Sequence, residues 1–137
     1  MENQGVNKEE WKFKKLFDKG PEPMVLLDEE GYVKDLNSRF EEVFGYKLEE
    51  IKDKQINDVI VPVGLKDEGN KLDEKSDGGY VNYETIRSGK DKEFHVAISA
   101  TPVTVNDKNY KIGTYRNIEK RKKAENRFKS LFENSPR

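Results

Sequence analysis

Residues 26–46, LLDEEGYVKDLNSRFEEVFGY, change their hydrophobic period once, and that change decides the fold. Before it, the runs MVLLD (24–28) and YVKDL (32–36) are joined by Glu29, Glu30 and Gly31, which predicts a hairpin whose glycine takes a positive φ. After it, Phe40, Val43 and Phe44 recur at helical spacing, Asn37 or Ser38 can cap the helix, and Gly45 can close it in the left-handed conformation. A hairpin that feeds a short amphipathic helix needs a sheet for that helix to cover.

Working outward, KEEWKFKKLFD (8–18) sets Phe13, Leu16 and Phe17 on one helical face with Trp11 nearby, and GPEP (20–23) ends the helix because proline cannot continue it. On the other side, KLEEIKDKQINDVIVP (47–62) predicts two short helical turns with Ile51, Ile56, Val59 and Ile60 inward and Pro62 as the stop. The polar stretch 63–79 reads as one frayed helix. Three strands follow, YVNYETIRS, KEFHVAISATPVTV and YKIGTYRNI, separated by turn signals in GKD and NDKN. The last strand runs into EKRKKAENRFKSLFE, where Ala124, Phe128 and Leu131 have the spacing of a short coiled-coil seam. The expected fold is α+β. Residues 24–36 and 80–118 form one five-stranded antiparallel sheet, short helices from 38–76 cover one face, and linker helices stand at both ends. The N-terminal helix is too apolar to stand alone, and is expected to cover the outward strand face around Ala97 and Ser99, in its own subunit or a partner's.

Composition narrows the function classes. With 26 basic and 27 acidic residues there is no net field to gather nucleic acid or an anionic membrane. At 33% hydrophobic and 39% charged, the core is thin and the surface heavily charged. No cysteine is present, so thiolate chemistry and disulfides are excluded and a cytoplasmic address is expected. No apolar run has the length of a membrane span, and Met1 is not followed by a signal-peptide pattern. The single histidine, His95, excludes a histidine metal cluster and argues against a catalytic triad. Strand alternation sends Phe94, Val96 and Ile98 to one face and His95, Ala97 and Ser99 to the other, so His95 is read as a surface or interface residue. The carboxylates Glu49, Glu50, Asp67 and Glu68 are read as solvated rather than as an acid and base pair. The DGG at 77–79 lacks the context of a phosphate loop. No catalytic residue, no metal and no enzymatic activity are expected of this chain.

The two ends of the chain resemble each other. Phe13 to Pro21 and Phe128 to Pro136 share Phe-Lys-x-Leu-Phe, an acid, two variable positions and Pro, which predicts a repeated module of about 110 residues. The expected organisation is an N-terminal extension (1–12), a domain (13–118), and a linker helix that begins a second copy (119–137).

LLDEEGYVKDLNSRFEEVFGY, LEEIKDKQINDVIVP and GTYRNIEKRKKAE, in that order, resemble the Per-Arnt-Sim (PAS) sensory domains over roughly residues 13–125. The resemblance implies a sensory module of a bacterial or archaeal signalling protein, dimeric, next to further PAS domains and an effector such as a histidine kinase, a diguanylate cyclase or a transcription regulator. It also implies a small-ligand pocket between sheet and helices, with Phe40, Phe44, Ile56, Val59, Ile60, Leu65, Tyr83, Ile98 and Ile112 as walls and Tyr83 and Thr114 as polar groups. Without a ligand the same side chains are simply the core, and the module is an interaction spacer. Interface candidates are Trp11, Phe13, Leu16 and Phe17 at one end and Ala124, Phe128 and Leu131 at the other. Haem is disfavoured because residues 65–78, where the family usually ligates it, hold no histidine, and flavin-thiol photochemistry is disfavoured for want of cysteine. Three departures stand out. Asn117 replaces an Asp and is expected to weaken an ion-pair latch, Asp53 replaces a Gly, and Gly89 is expected to take over the turn where Lys92 replaces a Gly.

Overall fold

The computed structural model describes residues 8–75 and 78–133. Strands β1 (Met24–Asp28), β2 (Val33–Leu36), β3 (Tyr80–Ser88), β4 (Glu93–Val105) and β5 (Lys108–Asn117) form one antiparallel sheet of order β2-β1-β5-β4-β3. Helices α2 (Ser38–Phe44), α3 (Leu48–Ile51), α4 (Ile56–Ile60) and α5 (Lys66–Lys75) lie between β2 and β3 in the chain. Their Phe40, Phe44, Ile51, Ile56, Ile60 and Leu72 share one core with Val25, Leu27, Phe94, Val96, Ile98 and Tyr115 of the sheet. The expected architecture is therefore the observed one. The stretch read as one frayed helix is a 3-10 turn (Val63–Leu65) followed by α5, while Ser76 and Asp77 lie outside the described residues.

Local chemistry explains the breaks. Asn37 caps α2, its Oδ1 accepting the Phe40 N–H at 2.9 Å, and Gly45 closes that helix at φ 83°. Asp53, standing where a glycine was expected, takes φ 64° and donates its N–H to the Val33 carbonyl at 2.8 Å. Asn106 and Asp107 both have positive φ and form a two-residue turn that sets Val105 opposite Lys108. Gly89 lies in the expected turn, its N–H donating to the Lys92 carbonyl at 2.8 Å, but it is not among the positive-φ residues. A Cβ there would sit 3.0 Å from the Phe44 carbonyl oxygen, so its role is to let the β3–β4 turn close on the end of α2, where Lys90 N–H donates to the same oxygen at 2.8 Å.

The terminal helices are α1 (Lys8–Asp18) and α6 (Glu119–Glu133). Phe17 of α1 is buried, and α1 is tied down by Lys14 to Asp35 at 3.5 Å and by Glu10, which accepts from the Asn106 side chain. The cleft between α1 and the sheet is walled by Leu26, Val105 and Tyr110, so α1 meets the outward face there rather than at Ala97 and Ser99 as expected. Instead α6 contacts β4. The Ile118 N–H donates to the His95 carbonyl at 3.0 Å, and the seam residues Phe128 and Leu131 are 64% and 68% exposed. The restart motif continues past Glu133 into residues 134–137, which lie outside the described residues.

Candidate functional site

Alternation along the strands decides which side chains meet between sheet and helices. On β5, Lys111, Gly113 and Tyr115 turn inward and are buried. On β3, Tyr83, Thr85 and Arg87 share a parity, and Arg87 is only 3% exposed. A cavity of about 230 Å³ opens where α4 and α5 stand off from the inward face. Its walls include Leu27, Ile56, Asn57, Leu72, Asp73, Tyr80, Arg87, Ile98, Ala100, Lys111, Gly113 and Tyr115, with Glu29, Glu30 and Gly31 among the surrounding residues. A Cβ at Gly113 would stand 3.1 Å from the Tyr115 hydroxyl, so glycine leaves that hydroxyl its room.

Only Ile56 and Ile98 of the residues named from the resemblance line this cavity. Phe40, Phe44 and Ile60 are fully buried core, with the two phenyl rings stacked at 4.4 Å between centroids. Val59 and Tyr83 pack against that core, and Leu65 sits half-buried in the 3-10 turn. Ile112 and Thr114 have the parity opposite to Lys111, Gly113 and Tyr115, so they face the other side of the sheet. They are corrected from wall residues to outward ones. The residues missed are the polar ones, Tyr80, Arg87, Lys111, Asp73 and Tyr115. For Arg87 the signal was parity, since it stands four positions after inward Tyr83, whereas Tyr80 turns inward only through the bulge between Tyr80 and Tyr83 and Asp73 comes from α5.

The electrostatics of the cavity are concentrated. Arg87 Nη1 lies 2.8 Å from Glu68 Oε1 and donates to the Ile86 carbonyl at 2.9 Å. The Glu68 contact is an ion pair without hydrogen-bond alignment, since Oε1 has no hydrogen-bond donor, while Oε2 accepts the Thr85 hydroxyl. Glu68, expected to be solvated, is thus the partner of a buried guanidinium. Burial pushes the Asp73 carboxyl up against the opposing pull of Lys111 and Arg87, and Asn57 Nδ2 donates to it at 2.8 Å. Burial also raises the Tyr80 hydroxyl to about 12 and the Tyr115 hydroxyl further, so both keep their protons at neutral pH.

The opposite faces of the same strands hold the exit helix. Glu84, between inward Tyr83 and Thr85, pairs with Arg121 at 2.5 Å and Lys122 at 3.5 Å. His95, read as a surface or interface residue, meets Glu119 Oε2 through its backbone N–H at 2.6 Å and its Nδ1 at 2.9 Å. Asn117 Oδ1 accepts the Glu119 N–H at 2.8 Å, so the lost charge at 117 leaves a helix-start bond, and the ion pairs run through Glu84. Among the described residues no group of three or more metal-ligating side chains occurs, and no helix is long and apolar enough to cross a membrane.

A single antiparallel sheet with helices enclosing a polar cavity on one face and a C-terminal helix bonded to the other defines an α+β domain. The chain belongs to the PAS domain family, whose model matches residues 21–120. Solved structures share the fold. The PAS domain of an HTR-like protein from Haloarcula marismortui is 19% identical, over 79% of this chain and 90% of that one, with a TM-score of 0.61. The PAS domain of a Colwellia psychrerythraea protein is 22% identical, over 80% and 97%, with a TM-score of 0.67. An RNA-binding Light-Oxygen-Voltage receptor is 13% identical, over 96% of this chain and 40% of that one, with a TM-score of 0.75. No curated protein matches. The cavity falls below the roughly 300–1,000 Å³ of drug-sized sites and carries buried charges, and the chain has no cysteine for flavin-thiol chemistry.

Proposed function

We propose that the chain is a sensory signalling module in which a small ligand, held between sheet and helices, biases the attachment of α6 and through it a downstream effector. The observation that carries this reading is that β3 and β4 serve both ends. Tyr80, Arg87, Ile98 and Ala100 face the cavity, while Glu84 and His95 on the same two strands hold Arg121, Lys122 and Glu119. A shift of either strand by a fraction of an ångström is felt at both sites, because packed strands move as units. One structural neighbour is a PAS domain from a two-component sensor histidine kinase, and an effector of that kind, an adjacent second PAS module and a cytoplasmic setting belong to the proposal.

A homodimer is part of the same reading. Phe128, Leu131 and Phe132 along α6, with Trp11 and Leu16 of α1, are more apolar than solvated helices need. The same exposure supports a second reading, in which the module is a ligand-free spacer that pairs through these helices. Native mass spectrometry of freshly purified protein, with amide exchange of residues 119–127 before and after gentle removal of any adduct, separates the two. A sensor is expected to carry a small-molecule mass whose removal speeds exchange in α6. A bare dimer whose α6 exchange answers to no added compound overturns the sensor reading.

A further inference from the structure

We propose that the cavity takes a small carboxylate-bearing compound, held by the guanidinium fork of Arg87 with the hydroxyls of Tyr80 and Tyr115 as further donors. The proposal rests on the sensory reading and gives its ligand a chemistry.

The argument starts from what Arg87 leaves unused. A guanidinium has five N–H donors, and among the described residues the hydrogen bond and the ion pair of Arg87 are both made through Nη1. The Nε and Nη2 donors, which form the planar fork that matches a carboxylate, belong to a residue that is 97% buried and lines the cavity. Neither nitrogen is among the described buried atoms that lack a partner, so the fork opens on the cavity, where a ligand carboxylate can meet it. Neither the Tyr80 nor the Tyr115 hydroxyl makes a hydrogen bond among the described residues, and both stay protonated, so each offers a proton to a ligand oxygen. The fork and the two hydroxyls together favour an acceptor-rich ligand.

Size and the acidic residues refine the class. A cavity of about 230 Å³, against roughly 30 Å³ for one water in the liquid, suits a compound of a few carbons. Asp73 and the exposed Glu29, Glu30 and Glu74 stand among the cavity's surrounding residues. A carboxylate whose other end is cationic meets both sets of charges, while a simple dicarboxylate meets only the donors. Both share the carboxylate that Arg87 recognises.

The test uses the 137-residue chain and four probes: succinate, 4-aminobutyrate, inorganic phosphate and the uncharged succinamide. Calorimetry and amide chemical shifts read binding. Saturable binding of succinate or 4-aminobutyrate, with shifts at Tyr80, Ile98 and Tyr115, is expected, and phosphate and succinamide are expected not to saturate. Arg87→Lys keeps the charge but loses the fork and is expected to weaken binding on the order of 10- to 100-fold. Because Arg87 also supports Glu68, Tyr115→Phe supplies an independent variant that removes only a hydroxyl, with an expected loss of several-fold. Two outcomes overturn the proposal: no saturable binding of either carboxylate, or carboxylate binding that both variants leave unchanged. If phosphate or succinamide binds in the cavity instead, the carboxylate class falls while the sensory reading stands. If no probe binds and the purified protein also carries no adduct, both fall together.

Discussion

Asn37 is 1% exposed and joins three elements through one amide. Its Oδ1 accepts from the backbone N–H groups of Met24 and Phe40, both at 2.9 Å, while its Nδ2 donates to the carbonyls of Phe17 at 3.1 Å and Glu22 at 2.9 Å. The end of α1, the start of β1 and the first turn of α2 are thus fixed to the same side chain. Asn37→Ala removes a helix cap and strands buried backbone groups, so urea unfolding is expected to show a loss of about 3 kcal/mol. Asn37→Asp keeps the acceptor and loses both donations, and its melting curve is expected between the two. The capping role of this residue was legible in the sequence, because an Asn before a helical period has few other uses. Its bonds back to Phe17 and Glu22 were not legible, because they depend on where the N-terminal helix docks. Arg87 failed for a different reason. A lone basic residue in an alternating strand reads as solvent-facing, and only a carboxylate arriving from α5 makes its burial affordable.

At the scale of elements, α6 is held to the sheet by its first turn alone. Lys122 is half-buried, while every described residue from Lys123 to Glu133 is exposed. The His95 backbone and ring bonds hold the Glu119 carboxyl below the usual carboxylate range. A depressed carboxylate contributes stability that is present above its unfolded pKa and lost as pH falls through the folded one. The anchor is therefore expected to be intact at neutral pH and to open only in acid, as pH falls below the ordinary glutamate range. Amide exchange of residues 119–122 against pH checks this, and Glu119→Gln is expected to remove the dependence. If α6 continues into an effector in the parent protein, its phase matters as well. One residue inserted after Lys123 turns everything beyond it by about 100°, and seven nearly restore the face. Effector output is expected to change with the first insertion and to recover with the second, and a parent whose output ignores both has a passive tether. The helix and its apolar spacing could be read from sequence. The sheet contacts at Glu84 and His95 could not, since they join residues far apart in the chain.

At the scale of the whole molecule, apolar side chains of both terminal helices stand exposed, Leu16 at 76% and Phe132 at 72%. Replacing Phe128 and Leu131 together with serine is expected to convert a dimer to a monomer in sedimentation equilibrium without lowering the melting temperature of the sheet, because neither residue packs on it. An unchanged mass moves the dimer contact elsewhere. The five strands and their grouping were readable because alternation and turn residues are local signals. Their order was not, nor was the face of Ile112, because both follow from pairing between strands at opposite ends of the chain. That pairing also has a bearing on synthesis. β1 lies between β2 and β5, with Val25 opposite Gly113, so the β1–β2 hairpin leaves the ribosome long before its neighbour exists. At roughly 5–20 residues per second, it waits several seconds with one edge bare. The strand that ends the wait runs directly into α6, so a nascent chain completes its sheet only as the output helix begins to emerge.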